Sequence, residues 1–336
     1  MISHEITKAL RASRVPAGVM LALAMAYGAT AWAAAPKAEE KKILPPEDLV
    51  RETADGLNLA FTYYPSAEGK EAVPVVLLHM FKGKRSDYRD LALYLQQIGH
   101  AVVVPDLRGH GESTKFRNGA AIDANRMAAS EFNNMWLLDM EAIKGFLWRE
   151  NNEGRCNLNR LCVVGAEMGA SIALAFAAHD WAIRGAANTY PFYGPRQLGA
   201  FTKGLVLLSP PLQFKNISAT AAIRRLEQTT RVADGPAVPA ERIAMLMLIG
   251  GESSDSKKDA DRIESLLKRY HPEPEGENKK EKKTFFYGVL STPLQGSKLL
   301  GVRELRVEQH ISAFINLRLI KSTEARAMTW QELKGA

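Results

Sequence analysis

The chain has 336 residues, 46% of them hydrophobic and 24% charged, with 25 glycines and 16 prolines in no fixed period. That composition supports one large buried core and excludes disordered, collagen-like and repeat architectures. The formal charge of +7 is thinly spread. Its densest run, Lys279 to Lys283, carries Glu281 inside it and follows Pro272-Glu273-Pro274-Glu275-Gly276. Such mixing of signs describes a solvated loop and excludes a nucleic-acid patch.

Taken in chain order, Lys8, Arg11 and Arg14 precede the apolar stretch Val15 to Ala31, and Ala31-Trp32-Ala33 offers a small-x-small cleavage pattern. This reads as a signal peptide over 1–33, with the mature chain beginning at Ala34 and exported to the periplasm or beyond. The short, alanine-rich stretch, broken by Pro16 and Gly18, favours cleavage over retention as an anchor. The divisions that follow are a linker at 34–48, a main domain at 49–322 and a tail at 323–336. Cys156 and Cys162 are the two cysteines. An oxidising compartment permits a bridge, but the chain would have to double back through Asn157-Leu158-Asn159 to make it, which disfavours the pairing. No metal-ligand spacing exists, and no cofactor is expected.

Leu49 to Thr53 and Leu57 to Tyr64 flank Asp55-Gly56, a β-hairpin pattern. Val73 to His79 and His100 to Pro105 are continuous apolar runs, as in strands buried on both faces, with a helical pattern over Ser86 to Gln97 between them. The alternation continues with a helix at Glu131 to Trp148, a strand at Leu161 to Val164 and a small-residue helix at Met168 to Ala178. Strands at Gly204 to Leu208 and Ile243 to Ile249 come next, then a helix at Asp259 to Arg269, a strand at Thr284 to Leu290 and a closing helix at Arg306 to Ile320. The fold class is α/β: a mostly parallel sheet of about eight strands with an antiparallel hairpin at its start, and helices on both faces. Trp181 to Lys203, with the aromatic run Tyr190-Pro191-Phe192-Tyr193, and Gln213 to Ala240, with a weak helix near Ala219 to Arg231, fit no core element. Neither is long enough to form a cap domain.

Two motifs carry chemistry. Asp106-Leu107-Arg108-Gly109-His110-Gly111-Glu112-Ser113 follows a buried strand, and Gly165-Ala166-Glu167-Met168-Gly169 stands between a strand and a helix. The first resembles the D-x-R-G-x-G-x-S turn of the α/β-hydrolase superfamily, and the second resembles its G-x-S-x-G nucleophile elbow. The likeness, to serine esterases and dienelactone-hydrolase-like enzymes, runs from about Val73 to Ile320. It implies that Asp106, Arg108, Gly109, His110, Gly111 and Ser113 shape a loop, while Gly165 and Gly169 allow the elbow's tight turn.

At the elbow's centre Glu167 stands where the family has its nucleophilic serine. The family's oxyanion loop corresponds to His79 to Gly83, where Met80 takes a glycine's place, and Met168 would supply the second backbone N–H. The triad acid corresponds to Asp255, with Glu252 in reserve. Gln295 occupies the place of the triad histidine, and His310 sits in the closing helix as a structural residue. An amide cannot serve as a general base, so the inherited machinery lacks both nucleophile and base. Three readings follow. The first is an exported pseudoenzyme binding a small molecule or protein; the second is an esterase-like hydrolase built on Glu167 with Asp255; the third is a non-catalytic interaction module using the aromatic run.

Overall fold

The computed structural model describes residues 43–187, 199–228, 243–276 and 279–333. The leader segment 1–33 and the aromatic run Tyr190 to Tyr193 lie outside the described residues.

Eight strands form one sheet: β1 (Glu47–Glu52), β2 (Asn58–Tyr64), β3 (Pro74–Leu78), β4 (Ala101–Pro105), β5 (Leu161–Ala166), β6 (Thr202–Leu208), β9 (Ala244–Gly250) and β10 (Phe285–Leu290). A two-stranded ribbon, β7 (Gln213–Phe214) with β8 (Ile217–Ser218), stands apart. The order across the large sheet is β1-β2-β4-β3-β5-β6-β9-β10. β1 and β2 pair antiparallel, as do β2 and β4, and every other neighbouring pair is parallel. The order reverses between β3 and β5, the place where open α/β sheets leave a crevice beyond the strands' carboxyl ends.

The apolar runs behave as buried strands because each alternates between two cores. Val76, Leu78 and Val163 face one cluster, with Phe132, Ile143, Ile172, Ile223 and Ile263 from the helices on that side. Val75, Leu77 and Val164 face the other, with Leu91, Leu95, Ile311 and Phe314. The same alternation settles the cysteines. Cys156 belongs to the first cluster and Cys162 to the second, so the sheet separates them, and both are free thiols. Burial pushes both thiols upward in pKa.

Several boundaries differ from the sequence pattern: the helix before β4, α1, is Arg89–Gln97 and follows a 3₁₀ turn over Arg85–Tyr88. The expected helix from Glu131 is three pieces, α2 (Glu131–Asn134), a π-turn (Met135–Asp139) and α3 (Met140–Asn152). The small-residue helix α4 runs on from Met168 to Ala187, and α5 spans Ala219–Gln228. The helix after β9, α6, spans Ser254–Leu267 and begins five residues earlier than its apolar pattern does. The first turn holds polar Ser254, Asp255 and Ser256, which periodicity does not register, while extended Ser253 starts the helix. The closing helix α8 is Val307–Ile315, continued by a π-turn to Lys321. Between α6 and α8 lies the short α7, Lys279–Lys282, and beyond α8 comes α9, Thr323–Ala327.

Candidate active site

The turn after β4 is a closed ion-pair assembly. Asp106 accepts from the Arg85 backbone N–H (2.7 Å), the Arg85 guanidinium (2.6 Å) and the Glu112 N–H (3.0 Å). Gly111, at φ 50°, lies against that carboxylate: a Cβ there would stand 2.2 Å from its Cγ. Arg108 is fully buried and donates to Asp139 of the π-turn (2.6 Å) and to Asp55 of the β1–β2 hairpin (2.8 Å). Ser113 Oγ accepts from Ala60 N–H (2.9 Å), and Gly109 N–H donates to the Ser113 carbonyl. The turn joins β2, β4 and the π-turn, which is structural work.

His110 is part of that work. Its Nδ1 donates to the Arg108 carbonyl (3.0 Å), its ring meets the edge of His79 at 4.9 Å, and burial lowers its pKa. His79 accepts the Leu107 N–H at Nε2 (3.0 Å), which fixes its Nδ1–H toward the Met80 carbonyl (2.8 Å). Burial holds His79 down to about 4, so it stays neutral and ties the loop after β3 to the loop after β4.

The elbow keeps the family's backbone around a different side chain. Glu167 has φ 47°, a left-handed conformation that costs a non-glycine residue roughly 1–2 kcal/mol. Its N–H bonds the Leu208 carbonyl (2.9 Å), and its own carbonyl opens α4 by accepting from Ala170 and Ser171. The glycines are steric necessities. A Cβ on Gly165 would sit 2.2 Å from the Gly169 carbonyl, and one on Gly169 2.2 Å from the Leu78 carbonyl. The helix therefore starts in contact with the ends of β3 and β5.

The Glu167 side chain is half-buried and lies over Gly296, with Oε1 2.9 Å from where a Cβ on that glycine would be. Its carboxylate has no hydrogen-bond or ion-pair partner among the described residues. Burial raises its pKa, and only the more distant charge of Lys298 opposes the rise. Gln295 is the adjacent residue, but its amide does not turn to Glu167. Its Nε2 donates to the Gly250 carbonyl (2.8 Å), leaving Oε1 buried with no donor. The loop after β10 is pinned at two further points: Gly296 N–H donates to Ser209 Oγ (3.0 Å), and Ser297 Oγ donates to Met80 Sδ (3.1 Å). Met80 thus spans from the loop after β3 to the loop after β10. Met168 is fully buried behind the elbow.

The acid position does not converge with these two. Asp255 lies in the first turn of α6, its side chain 94% exposed and 3.7 Å from Lys258 Nζ. A helix's first turn favours a carboxylate there for its own dipole, and that turn projects Asp255 into solvent. Glu252 is also exposed. His310 is exposed on α8, lining a 400 Å³ groove with Phe286 and Leu317.

Periodicity misses an aromatic cluster beside the loop after β3. Phe81, Phe132 and Phe214 converge from three separate segments, with ring centroids 5.5–6.1 Å apart, and Phe81 also meets His110 at 5.6 Å. The available signal is faint: a bulky residue beside the glycine expected after His79. Ser209, at φ 50°, is the other addition, and Pro210-Pro211 after a strand is its trace in the sequence.

A mostly parallel eight-stranded sheet, with an elbow at the carboxyl end of β5 beside its switch point, defines an α/β-hydrolase. More narrowly, residues 69–251 match the serine aminopeptidase S33 family, and the chain belongs to it. An uncharacterised protein of Mycobacterium tuberculosis H37Rv is 27% identical over 145 residues, so the match covers 43% of this chain and 46% of that protein. The chain thus spans less than half the length of that relative. The esterase Pf2001 of Pyrococcus furiosus superposes at a TM-score of 0.53 with 14% identity, over 81% of this chain and 92% of the esterase. A thermostable carboxyl esterase from Bacillus coagulans, in complex with glycerol, gives 0.52 with 14% identity, over 82% and 99%. At that identity the likeness speaks for the fold.

Proposed function

We propose that this chain is an exported member of the family that uses the strand-end site for binding and does not run serine-hydrolase chemistry. The observation that carries the reading is Glu167, a half-buried carboxyl on the elbow with no donor among the described residues. Acyl transfer needs a nucleophile, a base to take its proton and donors aimed at the developing oxyanion. A carboxylate at the elbow repels that oxyanion. Gln295 is committed to Gly250, and Asp255 is turned to water. A carboxyl without a partner among the described residues instead suits a ligand that brings its own hydrogen-bond donors or a positive charge.

The test is activity-based labelling of the purified mature protein with a fluorophosphonate, beside hydrolysis of p-nitrophenyl acetate. Neither is expected above a heat-denatured control. Hydrolysis well above that control, abolished by Glu167→Gln, would overturn the reading and make Glu167 a working nucleophile or base. Export is tested separately, by mass spectrometry of the secreted fraction; retention of residues 1–33 would sink it.

A further inference from the structure

At the amino ends of β3 and β5, the opposite end of the sheet from Glu167, the segment Met328–Leu333 crosses the surface without regular structure. It is gripped almost entirely by side chains of the body. Asn157 Nδ2 and Arg160 Nε both donate to the Met328 carbonyl (2.9 and 3.1 Å), Asn159 Nδ2 to Thr329 (3.1 Å), and Asn151 Nδ2 to Gln331 (3.0 Å). Asn152 takes Leu333 from both sides, donating to its carbonyl (2.9 Å) and accepting its N–H (2.9 Å). This is main-chain recognition of an extended peptide, supplied by amides in place of a neighbouring strand.

The grip is organised by the body and not by the segment. Asn151 Oδ1 accepts from Leu158 N–H (3.0 Å) and Asn157 Oδ1 from Asn159 N–H (3.1 Å), so each amide's NH₂ end is aimed outward in advance. Both asparagines are fully buried. The Asn151 carbonyl, in the last turn of α3, accepts both the Gly154 N–H (2.8 Å) and the indole N–H of Trp330 (2.9 Å). Lys70 Nζ stands 3.7 Å from the centre of that indole ring. Leu333 is buried, 4% exposed. Backbone bonds tolerate many sequences, whereas an indole under an ammonium group and a buried aliphatic side chain three positions later select one pattern.

We propose that this surface is a peptide-binding groove whose ligand is an extended segment with tryptophan followed three residues later by leucine, and that residues 328–333 fill it in cis. The groove is separate from the strand-end site and does not depend on what that site does.

The experiment uses the full chain with a protease site inserted between Ala327 and Met328. The protein is purified intact, cut, and challenged with a fluorescein-labelled peptide of sequence Met-Thr-Trp-Gln-Glu-Leu. The expected result is that the cut fragment stays with the body on gel filtration and is replaced saturably by the labelled peptide. Peptides carrying Trp330→Ala or Leu333→Asp should compete at least about tenfold less well, a factor worth about 1.4 kcal/mol. Lys70→Ala in the body should weaken the wild-type peptide and leave the Trp330→Ala peptide unchanged. A fragment that never exchanges is a structural strap and overturns the proposal, as does exchange indifferent to Trp330. A body that unfolds on cutting, or that loses the fragment and takes up no peptide, overturns it too, because no groove then exists apart from its occupant.

Discussion

The turn after β4 and the elbow after β5 lie at the same end of the sheet with β3 between them, and both resemble signatures of one superfamily, yet they are built differently. In the turn, Asp106, Arg108 and Ser113 each meet partners from distant segments. At the elbow the glycines are fixed by contact, while the side chain between them lies over Gly296 and makes no hydrogen bond or ion pair among the described residues. The difference teaches that backbone shape and chemical identity are specified separately. Crowding dictates Gly165 and Gly169, but nothing in the packing dictates what stands at 167 as long as it accepts the left-handed turn.

That contrast can be broken from either side. The largest effect is expected from Asp139→Ala, which leaves the fully buried Arg108 guanidinium without its closest partner. Loss of one member of a buried pair costs about 3–5 kcal/mol, read as a shift in the urea midpoint. A loss under about 1 kcal/mol would mean the turn is not held by its charges. Gly169→Ala should cost about 1–3 kcal/mol or prevent soluble expression, since its methyl must displace the Leu78 carbonyl. A fully stable variant would show that helix and strand can separate there.

On the chemical side, Glu167→Ser alone should leave ester hydrolysis at background, because no base reaches the new hydroxyl. Glu167→Ser with Gln295→His should fall well short of the roughly 10²–10⁴-fold that general-base help provides, since Asp255 is not placed to orient the imidazole. Full recovery within that range by the pair, with neither single variant active, would put a working triad geometry back in these loops. A finer effect is pH-dependent. Burial raises the pKa of Glu167 in the fold, so folding favours its protonated form. That contribution is complete below the unfolded carboxyl pKa and is lost as pH rises through the folded value. Glu167→Gln should therefore melt higher than wild type at pH 7 and level with it near pH 4; equal melting at both would mean the carboxyl finds a partner in solution. Smallest of all, Asp255→Ala should leave the melting temperature unchanged within error, as exposed pairs contribute little.

The sequence by itself determined the sheet, since continuous apolar runs alternating with 3.6-residue periodicity have few other ways to bury themselves. It also located the two motif turns and placed Glu167 after β5 and Gln295 after β10, because those are statements of residue identity in a recognisable spacing. What it could not decide was where side chains point once loops from separate strands meet. Gln295 turns to the Gly250 carbonyl and not to Glu167, since a carbonyl lies within reach of its amide N–H. Asp255 left the site because polar residues before an apolar pattern carry no periodic signal, so a helix start read as a loop. The asparagines at 151, 152, 157 and 159 look like an unremarkable polar loop in sequence. Only packing made them a set, by fixing two amide oxygens on the body and turning four NH₂ groups toward one extended segment some 170–180 residues away in the chain. Local order follows from neighbours in the chain, but hydrogen-bond direction is settled only when distant groups compete for the same donor, and that competition exists in the folded molecule alone.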